Sequence, residues 1–344
     1  MANQPKIDIR TSPYIRKAPT VAEIMRNVVY ALLPLAAYAI YQFGISALAL
    51  MLITVLSCIG TEHLFCKLSA KKTTIGDASA IITGLLLAMT LPPGFPLWMG
   101  AVAGFVAIAM GKALFGGIGF NVFNPALVGR AFIQAAFPVS ITTWTPALAT
   151  DRFIEFIPST LAMPFMKPAQ TAEWVAQLNL DGFTGATPLA LMKFQGIMTD
   201  SMDLFLGLTA GSTGETSSLL ILICGAYLIA KKMLDWRIPA AVILGTVITA
   251  ECFYLLDSTQ YPTPAFMVFS GGLMFAAVFM ASDMVASPVT PMGILVFGLL
   301  VGFLTVIIRL FGGLTEAVMY AILFGNAATP LIESYTQPRI YGGK

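Results

Sequence analysis

Residues 291 to 310 read PMGILVFGLLVGFLTVIIRL. An α-helix rises about 1.5 Å per residue, so a run of this length spans the roughly 30 Å of a bilayer's hydrocarbon core. Its one charge, Arg309, stands at the far end. Such a run does not suit a soluble domain, and the search for others like it decides the fold. Nine more apolar runs emerge, at 24–43, 45–66, 78–92, 97–115, 124–139, 216–232, 238–256, 264–282 and 314–333. The runs 78–92 and 124–139 are short, and the first ends at Pro92-Pro93. They suit tilted or partial helices whose ends are shielded by neighbouring helices. The expectation is an all-α polytopic membrane protein with about ten transmembrane helices.

Composition agrees. Apolar residues make up 57% of the chain and charged residues only 10%, where soluble domains carry about a quarter charged, and the mean hydropathy is +0.83. The start, Met1 to Pro19, is basic through Lys6, Arg10, Arg16 and Lys17 and is broken by prolines at 5, 13 and 19. It lacks the apolar core of a cleaved signal peptide, so the first span is expected to direct insertion. Cys58, Cys66, Cys224 and Cys252 form no C-x-x-C pair and read as small core residues. One histidine, His63, cannot supply the two axial ligands of a bis-histidine haem. There is no P-loop, G-x-G-x-x-G or H-E-x-x-H motif, so nothing here binds NADH or ATP alone, and no nucleic-acid partner is expected.

Basic residues orient the spans. With the N-terminus in the cytoplasm, Lys6, Arg10, Arg16, Lys17, Arg26, Lys67, Lys71, Lys72, Lys112, Lys231, Lys232, Arg237, Arg339 and Lys344 fall inside, 14 of the 19 basic residues. The other face receives Arg309, plus Arg152, Lys167 and Lys193 in the longest connection, and bias in short loops is the informative part of the positive-inside rule. The chain then divides into a cytoplasmic basic tail (1–23), helices 1–5 (24–139), one long extracytoplasmic loop (140–215), helices 6–10 (216–333) and a cytoplasmic tail (334–344). Within the loop, the apolar piece 153–166 is cut by Pro158 and Pro164 and is too short to span. It is read as lying along the membrane interface.

Two halves echo each other. Leu114-Phe115-Gly116-Gly117 ends the fourth run and Leu310-Phe311-Gly312-Gly313 the ninth, while Gly84-Leu85 and Gly272-Leu273 sit in the third and eighth. An offset of five helices turns the second copy upside down, giving a five-plus-five inverted repeat of the kind that encloses a site near the midplane.

Ionisable groups in apolar runs are costly and tend to face the bundle interior. Arg130 is the most conspicuous: it could hold an anionic or carbonyl-rich ligand, snorkel, or pair with a carboxylate. Asp77 and Asp283 stand at the cytoplasmic ends of the third and eighth runs, and Glu251 and Glu316 toward the other face, suited either to a cation path or to helix capping. The stretch 207–217, GLTAGSTGETS, leads into the sixth run. Its N–H groups favour an anion, although Glu215 opposes one, and it equally suits a small-residue helix start capped by Ser and Thr.

The most informative polar stretch is Asp181-Gly182-Phe183-Thr184-Gly185-Ala186-Thr187-Pro188. Asp-Gly and Thr-Pro are turn dipeptides, and composition alone makes it one more loop turn. Yet Asp181-x-x-Thr184-Gly185-Ala186-Thr187 resembles the sequence at which a dedicated flavin transferase attaches FMN through a phosphoester to the last threonine. Together with Gly211-Ser212-x-Gly214-Glu215-Thr216-Ser217, Phe123-Asn124-Pro125-Ala126 and the ten runs, the chain resembles the D subunits of the Rnf (or Rsx) ion-translocating electron-transfer complexes. The related B subunits of sodium-translocating NADH:quinone reductases share much of the pattern but carry a longer N-terminal region.

The resemblance implies covalent FMN on Thr187, with Asp181, Thr184, Gly185 and Ala186 as recognition residues and Gly214 as a further cofactor contact. It also implies a second, noncovalent flavin such as riboflavin, which we place beside Arg130. The implied function is a bacterial inner-membrane subunit coupling ferredoxin and NAD redox chemistry to Na⁺ or H⁺ movement. Its partners are the other membrane and peripheral subunits of an Rnf-type complex, the transferase and membrane lipid. The separate transferase accounts for the absence of a base beside Thr187. A solute permease with an inverted repeat and a structural membrane anchor are the competing classes. Reporter fusions joined at 231 to 237 are expected to report the cytoplasm and those near 187 the outer side; the opposite pattern reverses the topology.

Overall fold

A computed structural model of the chain describes residues 20–70, 74–164, 166, 174, 187–207, 211–258 and 260–338, and among these every regular element is a helix. The first five are α1 (Val21–Phe43), α2 (Ile45–Leu68), α3 (Ser79–Met89), α4 (Leu97–Ile108, continued by a π turn, Ala109–Ala113) and α5 (Pro125–Ala136). Short pieces follow in the long connection: α6 (Pro138–Ile141), α7 (Pro188–Gln195) and α8 (Ser201–Leu206). The second set is α9 (Ser218–Ala230), α10 (Arg237–Leu256), α11 (Pro264–Phe269), α12 (Leu273–Phe275, continued by a π turn, Ala276–Met280), α13 (Pro291–Phe311) and α14 (Val318–Thr336). Four of these, α1, α2, α10 and α13, are long and apolar enough to cross a membrane, and α3, α4 with its π turn, and α9 are shorter apolar helices. This is a membrane protein.

Helix starts follow from the sequence. Asn124-Pro125, Thr187-Pro188, Thr263-Pro264 and Thr290-Pro291 each set a capping side chain before a proline. The side-chain oxygen accepts an N–H two or three residues on, and proline at the first helical position removes a donor that has no partner there. Thr187-Pro188, a turn dipeptide by composition, is therefore a helix start.

The expected run 264–282 is broken. Gly271, at φ +61°, turns the chain between α11 and α12, and the carbonyls left at the end of α11 are taken by Arg309, whose Nη1 donates to Met267 O at 2.6 Å and Nη2 to Ser270 O at 3.0 Å. The third run also stops short, at Met89. There Gly214 N donates to Met89 O at 2.8 Å and Thr213 N to Leu91 O at 3.1 Å. Backbone groups freed within a bundle need such partners because no water replaces them. Residues 151–164 form turns, with no helix. They cover the tight α1–α2 corner at Gly44, where φ is +71° and a side chain would collide with the carbonyl of Arg152.

Small residues let the helices approach closely, as expected where lipid is as apolar as leucine. Along the α10–α13 contact, a Cβ on Gly302 would lie 2.5 Å from Thr246 N and Val242 O, and one on Gly245 would lie 2.8 Å from Leu299 O. Gly302→Ala is expected to cost roughly 1–3 kcal/mol, the usual penalty of overpacking. Gly60→Ala, at a helical position with open space around it, should be neutral or stabilising by up to about 1 kcal/mol. Thermal unfolding in detergent reads both; equal midpoints for the two variants contradict the close crossing.

Candidate functional site

Thr187 opens α7. Its side chain is buried, 3% exposed, and its Oγ1 accepts the Ala190 N–H at 3.3 Å. Leu189, next on the helix, is buried with Leu204 and Phe266. Lys193 reaches across to the end of α13, where its ammonium donates to Arg309 O at 2.8 Å and also to Gly312 O. A cation on the last carbonyls of a helix is favourable, while partial burial lowers the Lys193 ammonium from the usual lysine range. The other recognition residues, Asp181, Thr184, Gly185 and Ala186, lie outside the described residues.

One turn beyond Thr187, Ala190 lines a cavity of about 290 Å³ together with Arg130, Gln134, Trp144, Phe194 and Glu316. Arg130, on α5, is 4% exposed. Its Nη1 lies 3.2 Å from Glu215 Oε1, and its Nη2 pairs with Glu316. Of the readings open to Arg130 in the sequence, pairing with carboxylates is the one realised, and two acidic groups share it. Among the described residues, its Nε and the second oxygen of Glu215 are buried with no hydrogen-bond partner. Arg309, counted by sequence as a short-loop charge, is instead buried at 3% exposure on α13.

Gly214 is placed as packing. Its N–H is committed to Met89 O and a Cβ there would meet the Met89 side chain. Ser217 caps α9 by accepting from Leu220 N at 3.4 Å. The stretch 211–217 therefore matches the capped helix start better than the anion site. At the other end of the bundle Asp77, two residues before α3, accepts from Ser79 N at 2.9 Å. Lys112, counted by sequence as cytoplasmic, is buried against Glu62 at 2.8 Å and Ser79 Oγ at 2.6 Å. These last groups adjoin a second cavity, of about 120 Å³, lined among others by Ser79, Lys112, Asn121, Asn124, Phe279 and Asp283.

A family model described as "NQR2, RnfD, RnfE family" matches residues 8–342, nearly the whole chain. The chain belongs to the NQR2, RnfD, RnfE family. Relatives in the NQR2, RnfD, RnfE family match over comparable lengths. The chain is 42% identical over 344 residues to the D subunit of the "Na(+)-translocating ferredoxin:NAD(+) oxidoreductase complex" of Acetobacterium woodii, covering 99% of this chain and 96% of that protein. It is 39% identical over 345 residues to the D subunit of the "Proton-translocating ferredoxin:NAD(+) oxidoreductase complex" of Clostridium ljungdahlii, covering 97% and 96%. A third relative, the D subunit of the "Ion-translocating oxidoreductase complex" of Halorhodospira halophila, is 34% identical over 349 residues, covering 97% and 95%.

Trp144, Phe194 and Gln134 were not singled out in the sequence, and Lys193 entered only as a loop charge, because their roles come from neighbours remote along the chain. The Arg130 cluster yields a stability prediction for this NQR2, RnfD, RnfE family member. Arg130→Met leaves two buried carboxylates facing each other and should cost about 3–5 kcal/mol, the usual penalty for breaking a buried pair from one side. Glu316→Gln, which keeps Glu215 opposite Arg130, should cost less. Unfolding midpoints in detergent check the order, and a milder effect for Arg130→Met refutes it.

Proposed function

We propose that the chain is the flavin-carrying membrane subunit of an ion-translocating oxidoreductase of the ferredoxin:NAD⁺ type, with FMN held covalently on Thr187. The observation that carries this reading is the placement of Thr187 one helical turn from the cavity lined by Ala190, Phe194, Trp144, Gln134 and Arg130. A group tethered to Oγ1 would reach, one helical turn away, a cavity whose lining holds two aromatic side chains and nitrogen donors. When bound, the flavin supplies the electron acceptance and release. The chain's own part is to hold and surround it. Thr187 would anchor the phosphate as an ester, Trp144 and Phe194 would supply aromatic side chains from the cavity lining, and Gln134 would supply an amide donor suited to a ring carbonyl.

Full-length similarity to proteins named as D subunits of such complexes supports the assignment. The names of those relatives include both sodium and proton translocation, so we assign Na⁺ or H⁺ movement to the complex this chain would join. The partners we propose are the other membrane and peripheral subunits of that complex and a flavin transferase. The location we propose is a bacterial inner membrane, with both termini cytoplasmic and Thr187 outside.

We read the ten helical runs as a five-plus-five inverted repeat. Supporting this, α2 packs along α4 as α10 packs along α13, and the interrupted helices α3 and α11–α12 hold the third and eighth places. For a second, noncovalent flavin, the cavity lined by Asn121, Asn124, Lys112 and Phe279 is the better seat. The Nη groups of Arg130 are taken by carboxylates, which counts against the position beside Arg130 expected from sequence.

Thr187→Val removes the ester-forming oxygen at nearly constant volume. The variant chain should insert and assemble but lose in-gel flavin fluorescence of the denatured band and electron transfer through it, while Thr184→Val only weakens labelling. A Thr187→Val band that still fluoresces, or an unmodified Thr187 peptide by mass spectrometry from an active complex, overturns the reading.

A further inference from the structure

Transfer of FMN to a threonine is a displacement at phosphorus. The hydroxyl oxygen of Thr187 forms the new P–O bond, the bond from that phosphorus to the leaving AMP of a flavin dinucleotide breaks, and the hydroxyl proton passes to a base of the transferase. No group is oxidised or reduced. The attacking and leaving oxygens lie roughly in line across the phosphorus, so the hydroxyl must be open to a bulky donor on one side and to the enzyme around it.

The folded chain presents the opposite situation. Thr187 is 3% exposed, its oxygen is engaged as the cap of α7, and the turn that follows is seated by Leu189 among Leu204 and Phe266. Leu189 also presses on Gly271, where a Cβ would lie 2.6 Å from its Cδ1. Among the described residues, the far end of α7 is fastened by Lys193, whose ammonium donates to two C-terminal carbonyls of α13. The apolar seat is a handful of side chains on an eight-residue helix, and so short a helix owes its place to such contacts more than to its own propensity.

We propose that Lys193 is a positioning residue that latches α7, so that the Thr187 hydroxyl is offered to a flavin transferase only when α7 has lifted from its seat, and closing the latch afterwards sets the modified threonine beside the cavity lined by Trp144 and Phe194. This rests on Thr187 being the attachment site. It adds an order of events: transfer comes before docking, and a chain that docks first becomes a poor substrate.

The test uses the full chain, produced without the transferase and purified in detergent, then mixed with purified transferase and FAD. The initial rate of covalent labelling is read as flavin fluorescence of the denatured band. Lys193→Met is expected to label about tenfold faster than the unsubstituted chain, the change that corresponds to about 1.4 kcal/mol. Lys193→Arg, which keeps a donor for the carbonyls, should stay within about twofold, well inside that same scale. A purely structural contribution of Lys193 predicts slower or unchanged labelling of the Met variant, and either result overturns the latch.

A second measurement works without flavin. Thr187→Cys, in a chain whose Cys66 and Cys252 are replaced by alanine, should react slowly with a water-soluble maleimide and markedly faster when combined with Lys193→Met. Equal thiol rates overturn the latch. Absence of covalent flavin on every form, with the expected thiol rates, leaves the latch standing and removes Thr187 as the attachment site.

Discussion

Arg130 carries a full charge at 4% exposure, and a buried charge must be neutralised where it stands. Its two carboxylates come from segments far apart in the chain, Glu215 just before α9 and Glu316 just before α14. The guanidinium thus ties the end of the first helical set to two segments of the second. Around it the interrupted helices find their missing partners. Arg309 satisfies the end of α11, and Thr213 and Gly214 satisfy the end of α3. The cavity one turn from Thr187 opens directly against this polar interior, through Arg130 and Glu316.

Much of this was legible beforehand. Each apolar run holds helix, because the composition of a run is a local property, although only four of the helices reach the length that a bilayer asks for. Asn124-Pro125 and Thr290-Pro291 mark their helix starts for an equally local reason, a cap followed by a residue with no N–H to lose. Arg130 stood out by its cost in an apolar run. What the sequence withheld is pairwise. Arg130, Glu215 and Glu316 were each visible, but nothing along the chain says that residues 85 and 186 positions apart meet. Lys112 and Arg309 entered the count of basic residues as flank charges, and their burial and partners were hidden for the same reason. The break at Gly271 falls within Ser270-Gly271-Gly272, a short polar and glycine stretch that the apolar residues farther out on both sides carried into one run.

Fastening at Thr187 is indirect. The threonine lies on a short helix in the long connection, held by Leu189 below and Lys193 at its far end, so its position is set by α11 and α13 more than by its own neighbours in sequence. A group carried there would take its surroundings from α5, α7, the residues just after α6 and the segment leading into α14. The site therefore belongs to the assembled bundle, and family membership over residues 8–342 is the scale on which it is built.

The two π turns, Ala109–Ala113 and Ala276–Met280, both touch the second cavity, one through Lys112 and the other through Val278 and Phe279. A π turn is an α-helix holding one surplus residue, and each residue of an α-helix advances the chain about 100° around the axis. Insertions of this kind are a way for a lineage to change what faces a cavity without changing the helices before it. Each π turn closes its helix, so removing a single residue there would rewind the last turn to regular pitch and move Lys112 or Phe279 about 100° around the axis, and these two positions mark where gaps between aligned relatives would carry functional meaning.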